Sequence, residues 1–129
     1  MADFRFRKHE HLRRPDEFRR VYDRRRSVSD GWLIVYACEN GLPHLRVGLS
    51  VPKKKVALAT QRNRLRRLYR EAFRLMRHEM PVGMDLVLIP NRAEEPPLED
   101  LKRGLPILVN ALARKLANDP PPPPEGVPS

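Results

Sequence analysis

The chain has 129 residues, which suits a single domain with one core. It carries 26 Lys and Arg against 16 Asp and Glu, a formal net charge of +10, and 20 of the basic residues are Arg. This surplus favours a polyanionic partner, because guanidinium groups bind phosphate in a fork and stack on bases. The single cysteine, Cys38, excludes a disulfide framework and a Cys-based zinc site, and no apolar run reaches the roughly 20 residues needed to span a bilayer. We therefore expect a cytoplasmic protein in a reducing compartment.

The first half of the chain is predicted to form a helix followed by two strands. Residues 13–24 place apolar side chains at helical spacing behind an acidic first turn. Residues 31–41, GWLIVYACENG, are rich in β-branched and aromatic residues and end at an Asn-Gly turn signal. Residues 45–51, LRVGLSV, alternate apolar and small or polar side chains. We expect these two strands to pair antiparallel, with room for one further strand before the next helix.

The second half is predicted to contain a long helix, a strand and a final helix, at about 58–80, 84–90 and 98–117. Gly104 and Pro106 interrupt the last pattern, so we expect a short first piece and a longer one beginning near Pro106. The element order indicates an α/β (α+β) sandwich, a small mixed sheet packed with helices.

Three regions follow from composition. Residues 1–118 are predicted to form one domain, within which residues 1–12 are a flexible basic arm. Residues 119–129 contain five consecutive prolines and are predicted to be a disordered tail.

The positive charge is concentrated in two segments. Residues 1–26 have a net charge of +5 and residues 53–77 one of +9, whereas the rest of the chain is slightly acidic. A charge that served solubility alone would be spread more evenly.

The long helix is predicted to be amphipathic. Leu65, Leu68, Ala72 and Met76 share one face, with Tyr69 and Phe73 at its edge. The opposite face carries Arg62, Asn63, Arg66, Arg67, Arg70, Arg74 and Arg77. Within the helix only Glu71 can pair with these arginines, so an external polyanion is expected. Membrane-surface binding is disfavoured because the apolar face must cover the sheet, and specific readout of duplex DNA lacks a recognisable motif.

Three lysines, Lys53, Lys54 and Lys55, precede this helix. Ammonium groups beside the free N–H groups of a helix N-terminus favour phosphate. The alternative for such a triplet is a solvated turn.

An aromatic set is the second candidate surface. Phe18 and Tyr22 lie one helical turn apart, and Trp32, Ile34 and Tyr36 alternate onto one face of a strand. Exposed aromatic rings beside arginines stack unpaired RNA bases. The alternative is that these rings form the core of a small protein.

The sequence contains no recognisable catalytic or metal-binding constellation. His9, His11, His44 and His78 have no partner at nucleophile or metal-ligand spacing. We therefore expect no catalytic residue and no metal in the protein, so that another molecule performs any reaction in which it takes part.

These residues resemble a known family. The segment 45–73, LRVGLSVPKKKVALATQRNRLRRLYREAF, with the upstream LRRPDEFRRVY, resembles the protein component of bacterial ribonuclease P. The similarity covers about residues 9–117. Its most specific part is the run Arg62, Asn63, Arg64, Leu65, Arg66 and Arg67, followed by Arg70 and Glu71.

The resemblance implies the protein subunit of a tRNA 5′-maturing endoribonuclease, a ribonucleoprotein hydrolase. Such a subunit binds the catalytic RNA and the single-stranded 5′ leader of precursor tRNA, while the RNA holds Mg²⁺ and cleaves. It implies no cofactor bound by the protein itself and no membrane or small-molecule partner. The implied fold has a left-handed βαβ crossover and is similar to a ribosomal protein S5 domain 2-like fold, which departs from the usual handedness.

The resemblance also implies roles for individual residues. Those expected to bind the catalytic RNA are Arg62, Asn63, Arg64, Arg66, Arg67 and Arg70, with Lys53, Lys54 and Lys55 nearby. Phe18, Tyr22 and Tyr36 are expected to line the leader cleft, to which the strand pattern adds Trp32. Two alternatives remain at this point: a structural RNA-binding protein of ribosomal type with no processing role, and a protein nuclease.

Overall fold

The computed structural model describes residues 10–119. Residues 1–9 of the predicted arm and residues 120–129 of the predicted tail lie outside the described residues. Within 10–119 the helices are α1 Pro15–Asp23, α2 Ala59–Met76 and α3 Leu98–Asn118, and the strands are β1 Ser27–Ser29, β2 Leu33–Glu39, β3 Arg46–Leu49 and β4 Met84–Pro90. The predicted α+β class, a small mixed sheet with three helices, is confirmed.

The sheet has the strand order β1-β2-β4-β3. β2 pairs antiparallel with β1 and with β4, while β3 runs parallel to β4. The predicted antiparallel pair of β2 and β3 is therefore wrong, because β4 lies between them. β4 is apolar along nearly its whole length and is buried on both faces, so it takes a central place. β3 has only four residues and is an edge strand of the sheet.

β3, α2 and β4 form a parallel βαβ unit. This is the connection for which the family resemblance implies a left-handed crossover, and its handedness stays a prediction.

Helices cover both faces of the sheet. One face packs against α2 and α3 and holds the main core, which includes Val35, Val47, Leu86 and Leu88 of the strands. The other face holds a smaller cluster made by Leu12, Val21, Cys38 and Val87, on which α1 lies. Alternate residues of β2 and β4 thus serve two different cores.

α2 packs on the sheet through a face slightly rotated from the predicted one. Tyr69 and Phe73 are fully buried at its centre, whereas Leu68 and Met76 are only partly buried. Large aromatic rings bury more area than Leu or Met, so they take the middle of the contact.

α3 runs unbroken from Leu98 to Asn118 through Pro106. The predicted interruption is wrong, because a stripe of leucines on both sides of Pro106 is buried against the sheet and α2. Asn110 Nδ2 donates to the Pro106 carbonyl oxygen at 2.7 Å. Gly104 lets the β1–β2 loop approach closely, since a Cβ there would lie 2.8 Å from Asp30 Oδ2.

Residues 10–12 are not part of a flexible arm, contrary to the predicted boundary. Glu10 and Leu12 are each 6% exposed, and His11 forms a parallel bridge with Val47 beside β3. The Leu12 N–H donates to the Val47 carbonyl oxygen at 2.9 Å. This segment covers the outer edge of β3, which would otherwise offer unpaired backbone groups.

No helix within residues 10–119 is both long enough and apolar enough to cross a membrane.

Pro106 inside α3 tests how far the burial of the helix outweighs the low helix propensity of proline. Pro106→Ala should raise the free energy of unfolding by about 1–3 kcal/mol, because proline in a helix interior is about 3 kcal/mol less favourable than alanine. Urea denaturation monitored by circular dichroism measures this. Pro97→Ala, just before the helix, is the matched control and should give no such gain. Equal stability of Pro106→Ala and wild type would contradict the prediction.

Candidate nucleic-acid interface

A buried ion network joins α1 to the sheet. Asp85 in β4 is fully buried, and its two carboxylate oxygens accept hydrogen bonds from Arg46 Nε at 2.8 Å and Arg46 Nη2 at 2.7 Å. Asn40 Nδ2 donates to Asp85 Oδ1 at 2.9 Å, and Arg20 of α1 also contacts Oδ2. Every charge in this network has a partner, as a low-dielectric site requires.

Glu17 extends the network to the start of α1. Its Oε1 accepts from the backbone N–H groups of Arg13 and Arg14 at 3.0 and 2.9 Å. Its Oε2 accepts from Arg46 Nη1 at 2.9 Å. One carboxylate thus caps the helix and ties it to β3.

The hydrogen bonds in this network shift its pKa values. Burial alone would raise the pKa of Asp85, but the hydrogen bonds from Arg46 and Asn40 hold it below its usual range. The pKa of Glu17 is lowered by its backbone hydrogen bonds, and that of Arg46 is raised by the bond to Asp85. All three groups are therefore charged at neutral pH.

The placement of α1 brings together the aromatic cluster, which consists of Phe18, Tyr22 and Tyr36. Tyr22 and Tyr36 meet edge to face, with ring centroids 5.2 Å apart. Phe18 lies over Gly48 of β3, where a Cβ would stand 2.5 Å from the ring. The three rings are only partly buried, so each keeps some exposed surface.

Trp32 does not join the aromatic cluster. It precedes β2 and packs, like Val28, against the core on the opposite face. The Trp32 and Leu33 backbone N–H groups donate to Asp30 Oδ1, so the chain turns before the strand begins. Strand alternation therefore does not extend back to this residue, and the pattern that grouped it with Tyr36 was wrong.

The arginines of α2 and of the 3₁₀ turn that extends it, Arg77–Glu79, divide into two groups. Arg74 pairs with Glu71 and Arg77 with Glu10, while Arg62 Nη1 donates to the backbone carbonyl oxygens of residues 56 and 57. The other group is called the open arginines and consists of Arg64, Arg66, Arg67 and Arg70. None of these four pairs with a carboxylate in the described residues. Asn63, the residue before Arg64, accepts a hydrogen bond from Arg66 through its Oδ1.

The open arginines reach the aromatic cluster. Arg66 and Arg70 line a cavity of about 100 Å³ together with His11, Phe18 and Gly48. Burial, and then the charges of Arg13 and Arg70, lower the pKa of His11, so its ring is neutral at neutral pH. The two surfaces predicted separately from the sequence thus meet at one edge of the sheet.

The lysine triplet forms a turn at the other end of β3. Lys53, Lys54 and Lys55 are all exposed, and Lys55 Nζ donates to the Pro90 carbonyl oxygen at 3.2 Å. Residues 56–58 separate the turn from the first residue of α2, Ala59.

Sequence reasoning missed Glu17, Arg46, Gly48 and Asp85, which position the cluster. One signal was present: Asp85 stands in the apolar run MDLVLIP, and a carboxylate predicted inside a strand needs a cationic partner. The other three carry no local signal, because their roles depend on distant residues.

The described residues contain no group of three or more His, Cys, Asp or Glu side chains that could hold a metal ion. Cys38 is buried, and burial raises its pKa to about 11, so the thiol is not a nucleophile at neutral pH.

Comparisons with known proteins find similar sequences and similar structures. A family model described as Ribonuclease P matches residues 6–113. The ribonuclease P protein component of Photobacterium profundum is 34% identical over 100 residues, which are 78% of this chain and 85% of the relative. That of Pseudomonas entomophila is 42% identical over 88 residues, 67% of this chain and 65% of the relative.

Solved structures give the same result. The RNase P protein of Thermotoga maritima is 30% identical, with a TM-score of 0.68 over 81% of this chain and 96% of that one. The RNase P protein of Staphylococcus aureus is 26% identical, with a TM-score of 0.67 over 79% of this chain and 94% of that one.

Removing the buried carboxylate should destabilise the protein. Asp85→Asn should lower the free energy of unfolding by about 3–5 kcal/mol at neutral pH, because it leaves the partly buried Arg46 without its full counter-charge. The folded pKa of Asp85 lies below the unfolded one, so the stabilisation is present above about pH 4 and is lost as the pH falls through the folded pKa. The difference between variant and wild type should shrink over that acidic range.

Urea denaturation at several pH values measures both effects. Asp100→Asn, which removes a surface pair with Arg103, is the matched control and should change stability by at most about 0.5 kcal/mol. A loss for Asp85→Asn that is no larger than the control's would contradict the role of the network.

Proposed function

The chain belongs to the ribonuclease P protein family, and from that premise we propose which RNA each of its two surfaces binds. It is a protein subunit of a ribonucleoprotein enzyme in which the catalytic role lies in the RNA, so a catalytic RNA is its partner. The match favours this processing role over the two alternatives left by the sequence.

In this proposal α2 binds the catalytic RNA. The open arginines are the main observation behind this proposal. Their four guanidinium groups have no carboxylate partners in the described chain and repel one another. Phosphate groups bound between them would remove this repulsion. Asn63 and the turn at residues 53–55 extend this surface. Arg62 contributes differently: its contacts with the carbonyl oxygens of residues 56 and 57 stabilise the loop before α2.

The aromatic cluster takes the single-stranded 5′ leader of precursor tRNA. Its rings are half-buried and fixed, and unpaired bases stack on such rings at about 1–3 kcal/mol each. Stacking tolerates any base, which suits an enzyme whose substrates have many leader sequences. Arg66 and Arg70, beside Phe18, would hold phosphates where the two RNAs come together.

The reaction itself belongs to the RNA. Magnesium ions on the catalytic RNA would activate water and stabilise the leaving oxygen, while the protein screens repulsion between two polyanions. The place of this activity is the cytoplasm.

Reconstitution tests the proposal. Wild-type protein added to the catalytic RNA should raise the rate of leader removal from precursor tRNA at low magnesium concentration. Arg66→Ala with Arg67→Ala should weaken binding to the catalytic RNA and reduce the slope of log K against log salt by about 0.7–0.9 for each phosphate that the protein no longer neutralises. Lys102→Ala with Arg103→Ala removes the same charge from α3 and should leave the slope unchanged. No stimulation by wild-type protein would end the proposal.

A glycine variant tests the aromatic cluster alone. Gly48→Ala places a methyl group within 2.5 Å of the Phe18 ring and so displaces it. The affinity of the assembled enzyme for precursor tRNA should fall by up to about 1–3 kcal/mol, the contribution of one stacked base. Its affinity for mature tRNA, which has no leader, should not change.

A double-variant cycle excludes a general defect. In Phe18→Leu, which already lacks the ring, adding Gly48→Ala should cost little further precursor affinity. An equal loss with and without the ring, or an equal loss for mature tRNA, would refute leader binding by this cluster.

A further inference from the structure

Trp32 and Arg92 form a stacked pair at the end of the sheet, away from the aromatic cluster. The guanidinium carbon of Arg92 lies 4.4 Å from the Trp32 ring centroid, within the range of a cation–π contact. Arg92 Nε also donates to the Gly31 carbonyl oxygen at 2.7 Å. The ring and the carbonyl together hold the guanidinium in one orientation.

The held guanidinium keeps its two terminal amino groups available. Arg92 is exposed, and Nη1 and Nη2 have no hydrogen-bond partner within residues 10–119. Glu94 and Glu95 follow in the same loop, but neither pairs with Arg92. Two parallel donors that are already oriented match two phosphate oxygens, and less side-chain entropy is lost on binding.

Gly31 makes room for this arrangement. A Cβ at Gly31 would lie 2.9 Å from Arg92 Nη2, so any larger residue would push the guanidinium away from its place. The β1–β2 loop thus supplies the stacking surface and the space, and the loop after β4 supplies the donor.

The chain around Arg92, from the last residue of β4 into the loop that follows, touches both segments already assigned to RNA. Lys55 Nζ contacts the Pro90 carbonyl oxygen, and Gln61 Nε2 of α2 donates to the Ala93 carbonyl oxygen at 2.7 Å. The chain on either side of Arg92 thus contacts the lysine turn and the first turn of α2, the two segments assigned to RNA.

We propose that Arg92 is a further RNA-binding residue that takes one phosphodiester group, and that Trp32 is the positioning residue that holds it. The inference rests on the proposed function, since it needs an RNA partner. It also gives Trp32 a role different from base stacking in the leader cleft.

The salt dependence of binding tests Arg92. Arg92→Ala in the full chain should weaken binding to the catalytic RNA, or of the assembled enzyme to precursor tRNA, by roughly tenfold. The slope of log K against log salt should fall by about 0.7–0.9 for the same RNA. Arg114→Ala, an exposed arginine on α3 with no ion pair in the described residues, removes the same charge and should change neither value.

The two titrations identify the source of the phosphate. A change seen with the catalytic RNA alone assigns it to that RNA, and a change seen only with precursor tRNA, not with mature tRNA, assigns it to the leader. Unchanged slopes in both titrations, with wild-type protein still binding, would overturn the inference and leave the proposed function intact. Failure of the wild-type protein to bind would instead overturn the proposed function.

Variants that keep the charge test the positioning role. Gly31→Ala and Trp32→Leu should each weaken binding several-fold in the wild-type background and have little effect when Arg92 is already Ala. A structural role for Trp32 alone would give the same loss in both backgrounds. Thermal melts check that each variant folds.

Trp32 is the only tryptophan of the chain, so its fluorescence reports on the pair directly. RNA binding should change its emission in wild type and change it less in Arg92→Ala. An equal change in both proteins would count against the pair as the binding site.

Discussion

Asp85 places a negative charge in the middle of the sheet, and the position of α1 depends on how that charge is neutralised. Arg46 from β3, Asn40 from the loop before it and Arg20 from α1 all bind the same carboxylate. Arg46 also binds Glu17, which caps α1. The apolar anchor of α1 is small, since Val21 is its one buried residue in the described structure. Directional ion pairs therefore supply what apolar packing does not: a single orientation of the helix, and with it the places of Phe18 and Tyr22.

The same pairing decides which positive charges are available for RNA. Acidic side chains neutralise other arginines: Glu39 pairs with Arg24 and Glu10 with Arg77 between distant segments, and Glu71 pairs with Arg74 within α2. The open arginines and Arg92 receive no such partner in the described part of the chain. The unpaired positive charge is thus concentrated on one part of the surface, even though Glu71 and Glu95 lie near Arg64 and Arg67 without pairing with them in the described residues. The cavity between Phe18, Arg66 and Arg70 brings this surface to the aromatic cluster.

Local sequence patterns predicted most helices and strands correctly. They predicted the contacts between distant parts of the chain poorly. The helix expected at 58–80 is α2 with its 3₁₀ extension, and the apolar run at 84–90 is β4. The expected pairing of β2 with β3 failed because neighbouring strands in sequence need not be neighbours in the sheet. The expected break at Pro106 failed because burial of the leucine stripe outweighs one lost backbone hydrogen bond. The expectation that Trp32 shares a strand face with Tyr36 failed because a turn, stabilised by Asp30, ends the strand alternation before it extends back to Trp32.

The sequence by itself determined the family, the helical face that carries the arginines and the aromatic residues of α1. These features depend on repeats of 3.6 and 2 residues and on a charge pattern within one segment, all of which are local. Only the tertiary structure decided which arginines stay open, where the aromatic cluster lies and that Trp32 pairs with Arg92. Those outcomes depend on contacts such as Arg46 to Asp85, 39 residues apart, and Arg20 to Asp85, 65 apart. No spacing along the chain encodes such contacts, because they exist only once β4 lies between β2 and β3.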